Sequence, residues 1–139
     1  MTHAELCVRA ARWLKTKMNC GVVATEVKSY ARETPDAIGY RHEGSIIIEC
    51  KTSRSDFKTD SRKPWRTDPA IGMGMLRYYL CRPDIIRANE LPENGVCGEE
   101  LGGIHLILCA DTTPIIGRFC TERQVVSRLG FSYNPVSIL

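Results

Sequence analysis

The amino-acid sequence predicts an α/β domain, a mixed central sheet flanked by helices, in one unit spanning residues 1–139. Three observations carry that expectation. An amphipathic stripe opens the chain, a β-branched apolar run at Ser45-Ile46-Ile47-Ile48 ends on charged residues, and further strand-like and helix-like segments follow a polar middle. With 43% apolar residues, the chain has enough material for a core without disulfide staples.

From His3 to Met18, the residues Leu6, Cys7, Ala10, Ala11, Leu14 and Met18 recur at helical spacing. Thr2 and Glu5 stand three apart, the spacing of a capping box. Asn19-Cys20-Gly21 supplies the stop, with Gly21 suited to a left-handed cap. Cys20 to Ala24 reads as a first strand continuing toward Tyr30. Asp36 to Tyr40 and Ser45 to Lys51 are the next two strands, joined by a turn at Arg41-His42-Glu43-Gly44. Thr52 to Asp68 is polar and basic, a loop or short helix. Met75 to Leu80 is expected to be helical, ended by Pro83. Asn89 to Gly103, rich in Gly and Glu, is expected to be a loop. Ile104 to Ala110 reads as a buried strand, Thr113-Pro114 as a turn and Ile115 to Phe119 as another strand. Thr121 to Leu129 is expected to form a closing helix between a Thr121 cap and a Gly130 stop.

The net charge of +3 is mild, but its distribution is uneven. Lys51 to Arg66 holds six basic residues against two acidic ones, whereas Asn89 to Leu101 holds four acidic residues and no basic one. The first stretch would attract a polyanion and the second would repel it. The seven cysteines include no Cys-x-x-Cys pair, which argues against a zinc knuckle or a disulfide framework. Neither a signal-peptide pattern nor a long apolar span is present, so the expectation is a cytoplasmic protein with no membrane partner.

Other chemistries find little support. Gly72-Met73-Gly74 lacks the lysine of a phosphate loop, and His3, His42 and His105 lack metal-ligand spacing. No Gly-x-Ser-x-Gly elbow occurs. Trp65, Tyr78 and Tyr79 are read as packing residues rather than base-stacking platforms.

The chemistry concentrates around the second hairpin. Asp36 opens one strand, Glu49 closes the next, and Lys51 stands two residues on. Alternation along a strand puts Glu49 and Lys51 on one face and Ile46, Ile48 and Cys50 on the other. A hairpin return brings Asp36 opposite the Glu49 end. Two neighbouring carboxylates repel unless a cation lies between them. Mg²⁺ takes one or two carboxylates together with water and phosphate oxygens. The backbone carbonyl of Cys50 is a further oxygen ligand, and Lys51 would act on the attacking water or on phosphate charge.

Pro35-Asp36, twelve residues and then Glu49-Cys50-Lys51 resembles the PD-(D/E)xK motif of the restriction-endonuclease-like superfamily. Thr52-Ser53-Arg54-Ser55-Asp56-Phe57, with Asp60 and Lys63, is similar to the MmcB-like DNA-repair branch, as is Ala10-Ala11-Arg12-Trp13-Leu14. The resemblance implies a restriction-endonuclease-like fold and Mg²⁺- or Mn²⁺-dependent hydrolysis of DNA phosphodiesters. Asp36 and Glu49 would ligate the metal, assisted by the Cys50 carbonyl, and Lys51 would assist hydrolysis. An acidic residue on the first helix often completes such sites, and Glu5 is the candidate. Ser53, Arg54, Lys58, Arg62, Lys63 and Arg66 would grip nucleic acid, whether duplex, branched or single-stranded. A homodimer or a larger repair or defence complex is the expected assembly. The alternative is a catalytically silent nucleic-acid-binding or protein-interaction module on the same fold. The chain departs from the branch at Pro64, which separates Lys63 from Trp65, and Arg66 to Gly103 reads as added or altered material.

Overall fold

The computed structural model describes residues 1–68, 71–87, 90, 96–100 and 105–109. Helix α1 (His3–Thr16) is followed by strands β1 (Val22–Thr25), β2 (Ala37–Arg41) and β3 (Gly44–Lys51). Two short helices come next, α2 (Arg54–Asp60) and α3 (Pro64–Thr67). The described chain then adds β4 (Leu76–Cys81), β5 (Val96–Glu100) and β6 (His105–Cys109). The six strands form one mixed sheet in the order β1, β2, β3, β4, β6, β5, and only β3 and β4 run parallel. The mixed α/β architecture agrees with the sequence reading. None of the described helices is long and apolar enough to cross a membrane.

The N-terminal helix forms as its pattern requires. The Thr2 side chain accepts from the Glu5 amide while the Glu5 carboxylate accepts from the Thr2 amide. Its apolar stripe of Leu6, Cys7, Ala10, Trp13 and Leu14 packs on Ile46, Ile48, Cys50, Tyr78 and Leu80 of the sheet. At the C-terminal end the left-handed residue is Asn19 (φ 53°), and Gly21 is not needed for that role. Asn tolerates this conformation because its short side chain bonds locally. The first strand stops at Thr25, since Glu26 also takes a left-handed φ of 51° and turns the chain away from the sheet.

A two-residue loop, His42-Glu43, links β2 to β3, and Arg41 pairs with Gly44 across it. Gly44 sits at φ 131°, a conformation closed to residues with a Cβ.

Two expectations downstream are overturned. Met75 to Leu80 is not helical: Leu76–Cys81 is strand β4, paired in parallel with β3 from Ile46↔Leu76 to Lys51↔Cys81. Its side chains alternate cleanly. Tyr78 and Leu80 join α1's core, while Tyr79 and Cys81 pack with Ile85, Ile86 and Phe57 on the opposite face. Aromatic residues suit a pleated surface, and six residues are too few for a period of 3.6 to be told from a period of two. Nor is Asn89 to Gly103 all loop, because Val96–Glu100 forms β5 beside β6. Arg66 to Gly103 therefore supplies a central strand of the sheet. The strand expected at Ile104 to Ala110 is present over its described residues, His105–Cys109. The expected turn at Thr113-Pro114, strand at Ile115 to Phe119 and helix at Thr121 to Leu129 lie outside the described residues.

Candidate functional site

Helices cover both faces of the sheet, and each face has its own chemistry. The face under α1 is apolar. The opposite face, toward α2, carries a row of buried charges from neighbouring strands: Glu49 and Lys51 on β3, and Arg77 on β4. Alternation along β3 dictates this, as the sequence analysis expected. Glu49 and Lys51 are 2% and 3% exposed, so their charges need partners.

Those partners come from three segments. Glu33, buried in the segment before β2, receives both terminal nitrogens of Arg77, and Arg77 also reaches Glu49 Oε1 at 3.2 Å. Asp60 closes α2 and receives Lys51 Nζ at 2.9 Å and Lys63 Nζ at 2.8 Å. It is further bonded by the Arg66 guanidinium and the Tyr79 hydroxyl. Lys63 also approaches Glu49 Oε2 at 3.4 Å, and Lys51 lies 3.8 Å from the same oxygen. Four buried or half-buried cations thus interlock with Glu33, Glu49 and Asp60.

The titration behaviour follows from this arrangement. Burial pushes the Glu49 carboxyl up, against the opposing pull of Lys63, Lys51 and Arg77, and the nearby Asp36 charge adds to the rise. Burial would raise Asp60 too. There, however, hydrogen bonds from Lys63 and Tyr79 and the charges of Arg66 and Lys51 prevail, holding the carboxyl well below the usual range. A carboxyl depressed in the folded state stabilises the fold above its unfolded value and loses that contribution as pH falls through the folded one. Asp60→Asn is therefore expected to lower stability at pH 7 by about 3–5 kcal/mol, the usual effect of breaking a buried ion network. The gap from the native protein should narrow below about pH 4, and urea unfolding at both pH values measures it. A gap unchanged by acid would show that charge on Asp60 is irrelevant.

Asp36 stands immediately before β2. Continuing the register of Ala37↔Ile48 by one residue sets Asp36 opposite Glu49. Its side chain turns to the strand end: Oδ2 accepts from the Cys50 amide at 2.7 Å, and Oδ1 faces His3 Nε2 at 3.2 Å. Asp36 thus bridges the motif strand and the first turn of α1. The α1 residue that reaches it is His3, whereas the Glu5 carboxylate is engaged in the helix cap.

The basic run divides into two groups. Ser53 caps α2 by accepting from the Asp56 amide, and Arg54 is tied to Glu90 and to the Ile85 carbonyl. Lys63 and Arg66 belong to the buried network. Lys58 and Arg62 point to solvent. Tyr78 packs edge-on against Trp13 and Tyr79 against Phe57, each at 5.3 Å between ring centroids, so both are packing residues.

Sequence reasoning missed Glu33 and Arg77 as members of the cluster. The available signal was Arg77, a single charge amid Leu76, Tyr78, Tyr79 and Leu80. It becomes informative only once the segment is read as a strand.

No family model matches the chain, and no curated protein does. In fold it is similar to the solved structure of a protein of unknown function from Silicibacter pomeroyi, with a TM-score of 0.57. The two chains are 19% identical over 91% of this chain and 81% of that one. At that identity the likeness concerns the fold alone.

Proposed function

We propose that this chain is a restriction-endonuclease-like domain that hydrolyses phosphodiester bonds in DNA, in the manner of the MmcB-like repair branch. One observation carries the reading: Glu49 and Lys51 lie side by side and buried at the end of a central strand, with Asp36 held against the amide between them. The helix-flanked mixed sheet supports the fold part of the reading.

The donor set suits a hard divalent ion such as Mg²⁺ or Mn²⁺. Asp36 stands opposite Glu49 in the continued β2–β3 register, and neighbouring carboxylates repel unless a cation lies between them. Asp36, Glu49 and the Cys50 carbonyl would hold it, and it would supply Lewis-acid polarisation of the phosphate and a more acidic water. Lys51 contributes a charge fixed by Asp60 and aimed along the Glu49 face, where it would stabilise negative charge developing on phosphate. Its burial makes that interaction stronger than it would be in water. Arg77 and Lys63 compensate the Glu49 charge.

A second reading rests on those same interactions. Both Glu49 oxygens already face cations, which favours a silent DNA-binding or protein-interaction module on the same fold. One experiment separates the two. Branched, single-stranded and duplex DNA are incubated with the protein, with and without Mn²⁺. Metal-dependent cleavage is expected, and binding without cleavage would establish the silent module.

The exposed cations Lys58 and Arg62 are the residues of the basic run best placed to meet phosphate. Replacing both by Ala should weaken DNA binding about equally for all sequences. Each phosphate interaction removed should reduce the log–log salt slope by roughly 0.7 to 0.9. Fluorescence anisotropy across a salt series measures this, and an unchanged slope would place the nucleic acid elsewhere.

A further inference from the structure

The first turn of α1, the end of β1 and the start of β2 bring together a group of ligands of which the nuclease reading uses only Asp36. His3 and Cys7 are four residues apart and share one face of the helix. That face packs on the sheet beside Asp36. His3 Nε2 lies 3.9 Å from Cys7 Sγ and 3.2 Å from Asp36 Oδ1. One ligand atom from each of the three residues falls within 4.8 Å of the others. Usual zinc–nitrogen, zinc–sulfur and zinc–oxygen lengths in a tetrahedron give edges of about 3.5 Å for N–S and about 3.4 Å for N–O. The N–O separation is close to its value; Cys7 Sγ lies beside the imidazole, 3.6 Å from Nδ1, and a change of side-chain rotamer brings it in front of Nε2.

The surroundings fit as well. With Nε2 as the ligand, the other imidazole nitrogen, Nδ1, lies 4.0 Å from Glu26 Oε1. A carboxylate behind a ligating histidine fixes the ring's tautomer and orientation when it accepts the ring N–H, which here requires the 4.0 Å separation to close to hydrogen-bond length. Glu26 occupies this place through its left-handed backbone (φ 51°), and its amide donates to the Asp36 carbonyl at 3.2 Å. A non-glycine residue in that conformation is strained and often marks a functional constraint. Cys7 is buried whereas the His3 side chain is 42% exposed, so the fourth position would face solvent and take water.

We propose that His3, Cys7 and Asp36 form a Zn²⁺ site, with Glu26 as the residue that positions His3. One sulfur, one nitrogen and one oxygen select a borderline-soft ion over Mg²⁺ or Ca²⁺, which prefer oxygen alone. Binding displaces the Cys7 proton to solvent, because the thiolate is the ligand. The site shares Asp36 with the proposed nuclease centre but does not depend on cleavage.

The test uses the full, reduced chain after chelator treatment. Zn²⁺ is titrated against a chromophoric competitor, and Co²⁺ is titrated as a spectroscopic surrogate. One ion per chain and a thiolate-to-cobalt charge-transfer band are expected. His3→Gln, at a half-exposed position, and the near-isosteric Cys7→Ser should each weaken binding by tenfold or more, and Cys7→Ser should remove the band. Glu26→Gln should weaken binding by about tenfold while keeping the band, since it alters orientation and not ligation. Glu49→Gln disables the proposed cleavage centre and should leave zinc affinity unchanged; an equal loss there would place the ion at the motif carboxylates and overturn the proposal. A band that survives in His3→Gln at native affinity would overturn it too, by assigning the metal to another cysteine, and this holds even if Cys7→Ser does not fold.

Discussion

Lys51→Met is expected to lose metal-dependent DNA cleavage by about 10²-fold or more, the usual consequence of removing one group that stabilises charge in a transition state. Methionine retains an apolar stem of similar length and deletes the ammonium, which sits 5.9 Å from the Tyr79 ring centroid. Substrate binding should change little, because Lys51 is 3% exposed and belongs to the buried network. Single-turnover cleavage alongside DNA-binding measurements separates the two quantities. Removing the ammonium also takes one partner from Asp60, but Lys63, Arg66 and Tyr79 still hold that carboxylate, so a folded variant is expected. Native cleavage rates in folded Lys51→Met would remove Lys51 from the mechanism. A parallel fall in binding would instead mean that the site had collapsed.

Arg77→Ala is expected to cost about 3–5 kcal/mol of stability, as for other buried pairs that lose one partner. Arg77 is 1% exposed and compensates two buried carboxylates, Glu33 and Glu49. Its removal strands Glu33 in a region of low dielectric and leaves Glu49 to Lys63 and Lys51, and the uncompensated burial of Glu33, more than the missing attraction, carries the penalty. Removing the charge on both sides tests the cause. Arg77→Met combined with Glu33→Gln should recover much of the deficit, since a buried pair replaced as a pair is often nearly neutral. Urea unfolding of the single and double variants measures the coupling. Equal destabilisation in both would trace the effect to packing volume instead of charge.

The elements whose energetics are local are legible in the sequence. The α1 helix follows from its stripe and its Thr2–Glu5 box, and the β2–β3 hairpin from Ser45–Ile48 with Gly44 behind the turn. Strand alternation also puts Glu49 and Lys51 on one face and Cys50 on the other, where the structure has them. Leu76–Cys81 is misread as helix because its strand character depends on pairing with β3, thirty residues earlier, and no local period reveals that partner. The same long-range pairing explains why Arg77 is overlooked. Its position beside Glu49 exists only once β3 and β4 are parallel neighbours in that register.

Residue type and spacing along the chain are enough to mark Asp36, Glu49 and Lys51 as a charged group at one end of a strand pair. They do not say which groups neutralise it. Glu33, Asp60, Lys63 and Arg77 meet the group from four separate segments, and hydrogen bonds a few ångströms long decide which oxygen faces which cation. Nor does spacing turn the Asp36 carboxylate toward the Cys50 amide and His3. A covalent backbone dictates side-chain alternation within a strand, so that part is written locally. Electrostatic partnership depends on distance through space, and the packing of α1, α2 and β4 around β3 sets those distances.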